Sequence, residues 1–337
     1  EVKLHSALVR LLDGDGRGGW LATRQLIRLI REYQPDIIHL HNIHGTYLNV
    51  PALFRFLKQA DIPVVWTLHD CWSFTGHCAY YDFAGCQQWK TGCAHCTETR
   101  NYPECYGLSR AKANYAMKKK AFLGLSRMVL TPCSQWLAGE VAQSFLNGYP
   151  IRPMPNGVDL HAFAPTPSNL RDRYALQGLR LVLAVSSQWT ERKGFSSLLA
   201  CAALLPQDYR VVILGLEPER CAALPDNMLG ITHTDSVQEL AQWYSAADVL
   251  ADPTYEDNMP MVLLESLACG TPIAVFRTGG CPECLDDSCG QVVKQGDVQA
   301  LRDAIVALAP RKAELSTACL RFVQRFDKDR CYQRYLD

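Results

Sequence analysis

This chain of 337 residues lacks three features that define whole classes of protein. It has no excess of either charge, with 34 Lys and Arg against 34 Asp and Glu, so we expect no nucleic-acid partner. No apolar run reaches the roughly 18 residues of a membrane span, and no signal peptide opens the chain, so we expect a cytoplasmic protein. The first residue is Glu1 rather than methionine, which predicts an upstream segment. The length predicts about two domains.

Cysteine, in contrast, is abundant, with 15 residues. In a long chain without a secretory signal, free thiols or metal ligands are expected rather than a disulfide scaffold. A segment at about residues 71–105 carries the spacing C-x7-C-x6-C-x2-C, formed by Cys78, Cys86, Cys93 and Cys96. This spacing predicts a structural zinc site, because four thiolates leave no open position for water. The alternative ligands are His77, His95, Cys71 and Cys105. Unligated thiols are the other interpretation.

A glycine-rich loop lies near the start of the chain. Gly14, Gly16 and Gly19 spell GxGxxG before a predicted helix, which is the pattern of a dinucleotide-binding turn. Such a site needs an acidic residue at the end of the next strand, but that strand ends in His41 and Asn42. We therefore interpret the stretch as a flexible loop, and a nicotinamide oxidoreductase is only a weak alternative.

Polar side chains follow two neighbouring predicted strands of the first half. His41, Asn42 and His44 follow the strand in PDIIHL, and His69 and Asp70 follow the strand in PVVWTL. Ligands of open parallel sheets bind beyond the carboxyl ends of the strands, so these side chains should line one crevice. His69 is the best candidate to act on a reacting hydroxyl. A capping or core histidine is the alternative for any one of them.

The second half alternates strands and helices from residue 180 onward, which predicts a doubly wound parallel sheet. A proline-rich run that ends at Pro167 predicts a linker before it. Arg192 and Lys193 lie between the first strand and helix, where two cations can neutralise a diphosphate. Surface charges are the alternative interpretation.

The stretch from residue 252 to residue 280 predicts a strand, a polar turn, a helix and a second strand. Pro260 suits a first helical turn, and the amides of Met261 and Val262 would form a positive helix end that attracts phosphate. Asp257 lies in the turn and Glu265 inside the helix, where a carboxylate suits a pair of sugar hydroxyls. Together these residues predict a nucleotide-sugar site, with an ordinary capped βαβ unit as the alternative.

With these motifs the chain resembles the GT-B glycosyltransferases of family 4, particularly enzymes of bacterial polysaccharide assembly. The matching stretches are PDIIHLHNIHG, VWTLHDCWSFTGHC, NGVDLHAF, the RKG turn and YEDNMPMVLLESLACGTPIAVFRTGGCPE. The resemblance implies two Rossmann-like domains that face each other across a cleft. It also implies a retaining transferase that needs no metal for catalysis.

The resemblance implies roles for particular residues. Asp257 takes the first acidic position of the family's E-x7-E motif and Glu265 the second, which would hold the ribose. Because Glu256 precedes Asp257, either of these two could contact the donor sugar. Lys193 matches the phosphate-binding lysine, and His69 matches the active-site histidine of the N-terminal domain. The family's arginine is not matched at its usual position.

The implied domains are residues 1–165, joined by a C-terminal helix at 320–337, and residues 166–319. Compared with the family, roughly the first fifty residues of the N-terminal domain are expected to be absent, judged from the usual size of a βαβ unit. The expected partners are a UDP- or GDP-sugar and a glycan or lipid-linked acceptor. A basic helix near residues 110–127 raises the alternative of peripheral association with the inner face of a membrane. A non-catalytic sugar-nucleotide-binding scaffold is the alternative function.

Overall fold

The computed structural model describes residues 2–100 and 102–336. The chain divides into two compact units, Glu1–Met154 and Pro155–Asp337. The division falls before the boundary predicted at residues 165 and 166. The predicted return of the C-terminal helix to the first domain stays a prediction. Among the described helices, none is both long enough and apolar enough to cross a bilayer.

The first unit is built around a parallel sheet. Its elements are α1 (Val2–Leu12), α2 (Trp20–Tyr33), β1 (Ile38–Leu40), α3 (Val50–Ala60), β2 (Val64–Leu68), α4 (Ala111–Phe122), β3 (Met128–Pro132) and α5 (Gln135–Ala142). The strands pair in the order β1, β2, β3. Phe54 of α3, Trp66 of β2 and Phe122 of α4 form its aromatic core, with ring centroids 4.7–5.6 Å apart.

The glycine-rich loop follows helix α1 rather than a strand. A dinucleotide-binding turn requires a preceding strand, so the nicotinamide alternative is wrong. Close packing explains the glycines instead. A Cβ atom at Gly19, where φ is +67°, would lie 2.6 Å from the carbonyl oxygen of Tyr47. A Cβ atom at Gly18 would lie 2.3 Å from the ring of His5. The loop is thus the connection between α1 and α2, closely packed against the segment after β1.

The second unit is a larger parallel sheet. Its elements are α6 (Leu170–Arg173), β4 (Arg180–Val185), α7 (Phe195–Leu204), β5 (Tyr209–Leu214), α8 (Pro218–Cys221), β6 (Met228–Ile231), α9 (Val237–Ala246), β7 (Val249–Asp252), α10 (Met261–Ala268), β8 (Ile273–Phe276), β9 (Gly290–Val293), α11 (Val298–Leu308), α12 (Lys312–Val323) and α13 (Lys328–Gln333). The strands are apolar runs such as IAVF in β8, which is buried throughout, as expected for a sheet with both faces covered.

The strand order of this sheet is β6, β5, β4, β7, β8, β9, and all neighbours are parallel. The order reverses direction between β4 and β7. Ligands of doubly wound sheets bind at such a switch point, beyond the carboxyl ends of the strands. The loops that follow β4 and β7 carry the residues predicted to bind the donor. The predicted doubly wound architecture is therefore confirmed for this unit.

The predicted final helix over residues 320–336 is broken in the structure. A single 3₁₀ turn, Gln324–Phe326, follows α12, and α13 begins only at Lys328. Asp327 ends the first helix, because its carboxylate accepts hydrogen bonds from the amides of Asp329 and Arg330 as the cap of α13. The backbone of Lys328 also donates to Val158 at 3.0 Å, which a continuous helix would not allow.

Candidate functional site

The loops after β4 and β7 are bound to each other at the switch point of the second sheet. The amide of Tyr255 donates to the carbonyl of Arg192 at 2.8 Å. Gly194 has φ +74°, and a Cβ atom there would lie 2.0 Å from the carbonyl oxygen of Pro253. Only a residue without a side chain permits this approach. The two loops therefore hold Lys193 and Asp257 within reach of each other.

Replacing Gly194 by alanine should destabilise the protein clearly more than replacing Gly178. Both glycines have φ +74°, but a Cβ atom at Gly178 would meet nothing within 4 Å. Gly178→Ala therefore measures the backbone strain alone, about 1–2 kcal/mol, whereas Gly194→Ala adds a clash with backbone. Urea denaturation measures the difference. Equal losses of stability in the two variants would contradict the close approach of the two loops.

Lys193, in the loop after β4, is held by carboxylates from the end of β7 and from the loop that follows it. Its Nζ lies 2.5 Å from Oδ2 of Asp257, and the two side chains are 25% and 16% exposed. Burial lowers the pKa of Lys193, but Asp257 and Asp252 outweigh that effect, so the pKa is raised and the ammonium stays charged. Burial raises the pKa of Asp252 to about 7, although Lys193 opposes the shift. A diphosphate that binds Lys193 would thus take the place of Asp257.

The raised pKa of Asp252 predicts a pH-dependent stability. Between the pKa of an unfolded aspartate and about 7, the native carboxyl holds a proton that the unfolded chain releases. The free energy of unfolding should therefore fall as pH rises from about 4 to about 7. Asp252→Asn mimics the protonated form and should flatten that slope, whereas exposed Asp226→Asn should not. Urea titrations across the pH range measure both. If Asp252→Asn leaves the pH dependence of the free energy of unfolding unchanged, Asp252 is not the group that causes it.

The structure distinguishes Glu256 from Asp257, which the sequence could not separate. Glu256 is buried, and its Oε2 lies 3.8 Å from Nε of Arg192, which also donates to the Glu256 carbonyl at 3.3 Å. Asp257 is the more exposed carboxylate and the partner of Lys193. Asp257 is therefore better placed to meet a ligand, and Arg192 is partly committed to Glu256.

Helix α10 presents its amino end at the same edge of the sheet. Pro260 is the residue before the helix rather than inside it, and it provides no side-chain cap for the amides at Met261 and Val262. One turn further, Oε2 of Glu265 accepts a hydrogen bond from the hydroxyl of Tyr244 at 2.8 Å. Burial raises the pKa of Glu265, and the hydrogen bond opposes that shift. The helix thus offers an uncapped positive end and a partly buried carboxylate.

The first unit brings together the polar residues predicted at the ends of β1 and β2. Nδ1 of His41 and Nε2 of His69 are 3.0 Å apart, and the rings stack with centroids at 5.3 Å. Burial and the neighbouring His41 lower the pKa of His69 despite Asp70. A neutral imidazole can accept a proton from a hydroxyl. Asn42 is exposed beside this pair, and its carbonyl accepts the hydroxyl of Tyr47.

His44 and Asp70 form a second pair in this unit. Nε2 of His44 lies 2.8 Å from Oδ2 of Asp70, and Nδ1 lies 3.0 Å from the hydroxyl of Tyr102. Sequence reasoning missed Tyr102 and Asp15, which lie far from His44 and Asp70 along the chain.

Sequence reasoning also assigned Lys118 to a basic surface, but Lys118 is buried and donates to the carbonyl of Trp72 at 2.7 Å. Lys112, Lys119 and Lys120 remain exposed on α4.

The cysteine-rich segment does not display a metal site. Among the described residues, no three His, Cys, Asp or Glu side chains form a group that could hold a metal ion. The thiols of Cys78, Cys86, Cys93 and Cys96 are free, and Sγ of Cys93 accepts the amide of Gly76 at 3.1 Å. The segment also has a core of its own, which the sequence did not predict. The rings of Phe74, Tyr81 and Trp89 pack at 5.1–6.4 Å and are buried.

Comparisons with known proteins identify the family of both units. Residues 2–162 match the profile described as Glycosyltransferase Family 4, and residues 180–310 match Glycosyl transferases group 1. The putative colanic acid biosynthesis glycosyl transferase WcaC of Escherichia coli (strain K12) is 29% identical over 305 residues, which are 88% of this chain and 72% of WcaC.

A second relative is the D-inositol 3-phosphate glycosyltransferase of Xylanimonas cellulosilytica. It is 33% identical over 211 residues, which span 56% of this chain and 50% of that protein. Among solved structures, Anabaena Alr3699/HepE in complex with UDP superposes with a TM-score of 0.68 at 17% identity. The match covers 93% of this chain and 80% of HepE. The chain therefore belongs to the GT-B glycosyltransferases of family 4, the glycosyl transferases group 1, and its enzyme class is that of a glycosyltransferase.

Proposed function

We propose that this protein is a retaining glycosyltransferase that moves a sugar from a nucleotide-sugar donor to a glycan or lipid-linked glycan during cell-surface polysaccharide assembly. One observation carries the proposal. Lys193 pairs with Asp257 at the switch point of a doubly wound sheet, and the loop of Asp257 leads to the uncapped end of α10, the helix that carries Glu265. A cation, a helix end and two carboxylates suit the parts of a nucleotide sugar better than those of any simpler ligand.

In this proposal each group has a separate task. The ammonium of Lys193 and the amides of Met261 and Val262 hold the diphosphate, whose charge grows as the glycosidic bond breaks. Glu265 accepts hydrogen bonds from the ribose hydroxyls. Asp257, released from Lys193 by the diphosphate, meets the sugar that is transferred.

The first unit would handle the acceptor. Neutral His69, stacked on His41, donates a ring N–H to the oxygen of the acceptor hydroxyl and orients it. The leaving phosphate takes the proton from that hydroxyl, so that the new bond forms on the face from which the old one breaks. This chemistry uses no metal, and transfer should continue in the presence of a chelator.

The relatives support the chemical class of the substrates. The HepE structure holds UDP, and the name of WcaC places that protein in colanic acid biosynthesis. A UDP- or GDP-sugar is the proposed donor. Exposed Lys112, Lys119 and Lys120 on α4 would attract an anionic lipid surface, so we also propose cytoplasmic peripheral association with the inner face of the membrane.

A thermal-shift panel of UDP- and GDP-sugars tests the donor side. One nucleotide sugar should raise the melting temperature by several degrees at saturation, because a ligand that binds only the native state stabilises it. NAD serves as the negative control. No shift with any sugar nucleotide would overturn the proposal. The anomeric configuration of the product, read by NMR, tests retention.

The same nucleotide sugars, incubated with the protein in a hydrolysis and transfer assay, separate catalysis from simple binding. Donor hydrolysis or transfer supports the enzyme, whereas donor binding without either reaction supports a non-catalytic scaffold. The assay needs no knowledge of the acceptor, because water replaces it in the hydrolysis reaction.

Structural zinc at Cys78, Cys86, Cys93 and Cys96 stays a proposal that rests on their spacing. It predicts about one zinc per purified chain, lost together with thermal stability in Cys96→Ser. Thr97→Ser, a substitution at the exposed residue next to Cys96, is the control. Metal-free protein with the same melting temperature would exclude zinc, and the packing of Phe74, Tyr81 and Trp89 would then account for the order of the segment.

A further inference from the structure

We propose that Asp15 and the chain Asp70–His44–Tyr102 form a subsite that binds hydroxyl groups of an uncharged acceptor sugar and disfavours an acceptor phosphate. The inference rests on the proposed transferase function, because a transferase needs an acceptor. It adds the class of acceptor and assigns Asp15 and Tyr102 to its recognition.

A hydrogen-bonded chain leads from a half-buried carboxylate to an exposed hydroxyl. Oδ1 of Asp70 accepts the amide of Trp72 at 2.9 Å, and Oδ2 lies 2.8 Å from His44. The other ring nitrogen of His44 lies 3.0 Å from the hydroxyl of Tyr102. The side chains of His44 and Asp70 are 8% and 12% exposed, whereas Tyr102 is 50% exposed. The chain therefore ends in a hydroxyl that a ligand can reach.

The charge of this chain favours donation by Tyr102. Burial lowers the pKa of His44, but the hydrogen bond to Asp70 and the charges of Asp70 and Asp15 outweigh it, so that the pKa is raised. A protonated His44 donates to both Asp70 and Tyr102. The Tyr102 oxygen then accepts, and its own proton is directed elsewhere. Burial and nearby Asp15 raise the pKa of Tyr102 to about 12, so the hydroxyl keeps its proton.

Asp15 supplies the complementary acceptor. Its Oδ1 accepts the amides of Gly16 at 3.0 Å and Gly45 at 3.4 Å. Its Oδ2 is buried and has no hydrogen-bond partner, in a residue that is 3% exposed. A buried carboxylate oxygen without a partner is unfavourable, and a ligand hydroxyl would satisfy it. A Cβ atom at Gly45 would lie 3.8 Å from the Tyr102 hydroxyl, so the glycine whose amide donates to Asp15 also lies beside that hydroxyl.

The cysteine-rich segment delivers Tyr102 to this position. The carbonyl of Tyr102 accepts the amide of Ala79 at 3.2 Å, and the carbonyl of Ala79 accepts the amide of Cys71 directly after Asp70. The segment that leaves β2 thus returns to place a tyrosine beside the histidine that β1 provides. Recognition of the acceptor is a role for this segment that does not depend on a metal.

The balance of charge selects against phosphate. Asp15 and Asp70 are both carboxylates, and the cations beside them are protonated His44, which bonds Asp70 and Tyr102, and Lys118. Lys118 is buried, donates to the carbonyls of Trp72 at 2.7 Å and Thr75 at 3.1 Å, and lies 3.6 Å from the centre of the Trp72 ring. The ammonium group of Lys118 is therefore already bonded to groups of the protein. A phosphate would therefore face the Asp15 carboxylate while both nearby cations are already bonded to protein groups, whereas sugar hydroxyls can both donate and accept.

The test compares myo-inositol and methyl glycosides with D-myo-inositol 3-phosphate as acceptors, using the full chain and the donor identified by the panel. The wild type should prefer the uncharged probes at least about tenfold in kcat/KM. Asp15→Asn and Tyr102→Phe should each raise KM for the uncharged probe about tenfold or more, with the donor KM unchanged. Tyr106→Phe is the control, because Tyr106 is exposed and its hydroxyl bonds Glu104.

Each outcome bears on a separate claim. Unchanged acceptor KM in both variants, or a preference for the phosphorylated probe, would overturn the subsite while donor hydrolysis continued. If the wild type binds no nucleotide-sugar donor, the proposed function is overturned instead. If none of the probes is transferred, ligand-observed NMR decides, and equal binding of myo-inositol to wild type and Tyr102→Phe would overturn the subsite. Melting temperatures confirm that each variant is folded.

Discussion

Lys193→Met should lower kcat/KM by roughly 10²- to 10³-fold, which is the usual loss when one pre-positioned donor is removed from developing charge. The ammonium is partly buried between the carboxylates of Asp257 and Asp252, and its pKa is raised, so it carries its charge throughout the neutral range. Steady-state kinetics, or donor hydrolysis when the acceptor is not yet known, measure the loss. The effect should fall on kcat as well as on KM, because the phosphate gains charge in the transition state.

Two controls sharpen this result. Lys294→Met removes an exposed lysine just after β9 in the same sheet, outside the cluster, and should leave kcat/KM nearly unchanged. Lys193→Met also leaves the Asp257 carboxylate without its partner, so part of any loss in stability comes from that residue. Adding Asp257→Asn should restore stability but not activity. Full activity in Lys193→Met would mean that the diphosphate binds elsewhere.

Glu265→Gln should weaken donor binding roughly 10- to 100-fold and affect kcat much less. A hydrogen bond to a charged group contributes about 1.5–3 kcal/mol, and the ribose hydroxyls are distant from the bond that breaks. Calorimetric titration with the donor identified by the panel measures the change. Tyr244→Phe is the matched variant, because it removes the hydroxyl that donates to Glu265 at 2.8 Å and keeps the carboxylate.

The pH dependence of the two variants should differ. Burial raises the pKa of Glu265, and the Tyr244 hydroxyl opposes that shift, so the pKa should rise further in Tyr244→Phe. Donor binding by Tyr244→Phe should therefore weaken as pH falls, when Glu265 takes up a proton. Glu265→Gln should not share this dependence. If neither substitution changes the donor affinity, Glu265 does not belong to the donor site.

Much of the second unit could be predicted because its signals are local. Buried strands such as RLVLAV and IAVF are followed by polar turns and helices, and this alternation dictates a parallel sheet. The E-x7-E spacing likewise needs only one turn and one helix to carry both carboxylates. Residues 1–12 show weaker patterning, and the structure forms helix α1 at Val2–Leu12.

Predictions from local pattern were wrong where a distant residue competes. The final helix breaks because Asp327 caps a new helix and the chain pairs with Val158. Lys118 lies in a run of exposed lysines, but it is buried against Trp72 from another part of the chain. The spacing of the four thiols, whose zinc site stays a prediction, cannot report the aromatic packing of Phe74 and Trp89. In each case the deciding contact lies outside the pattern.

By itself, the sequence determined the doubly wound sheet of the second unit and the residue types of its proposed donor site, because strand burial, helix ends and motif spacing act over a few residues. Only the tertiary structure decided which groups meet. Lys193 pairs with Asp257 across 64 residues, and His44 pairs with Tyr102 across 58. The physical reason is that such contacts depend on how loops from separate strands pack at one edge of a sheet, and no local spacing encodes that packing.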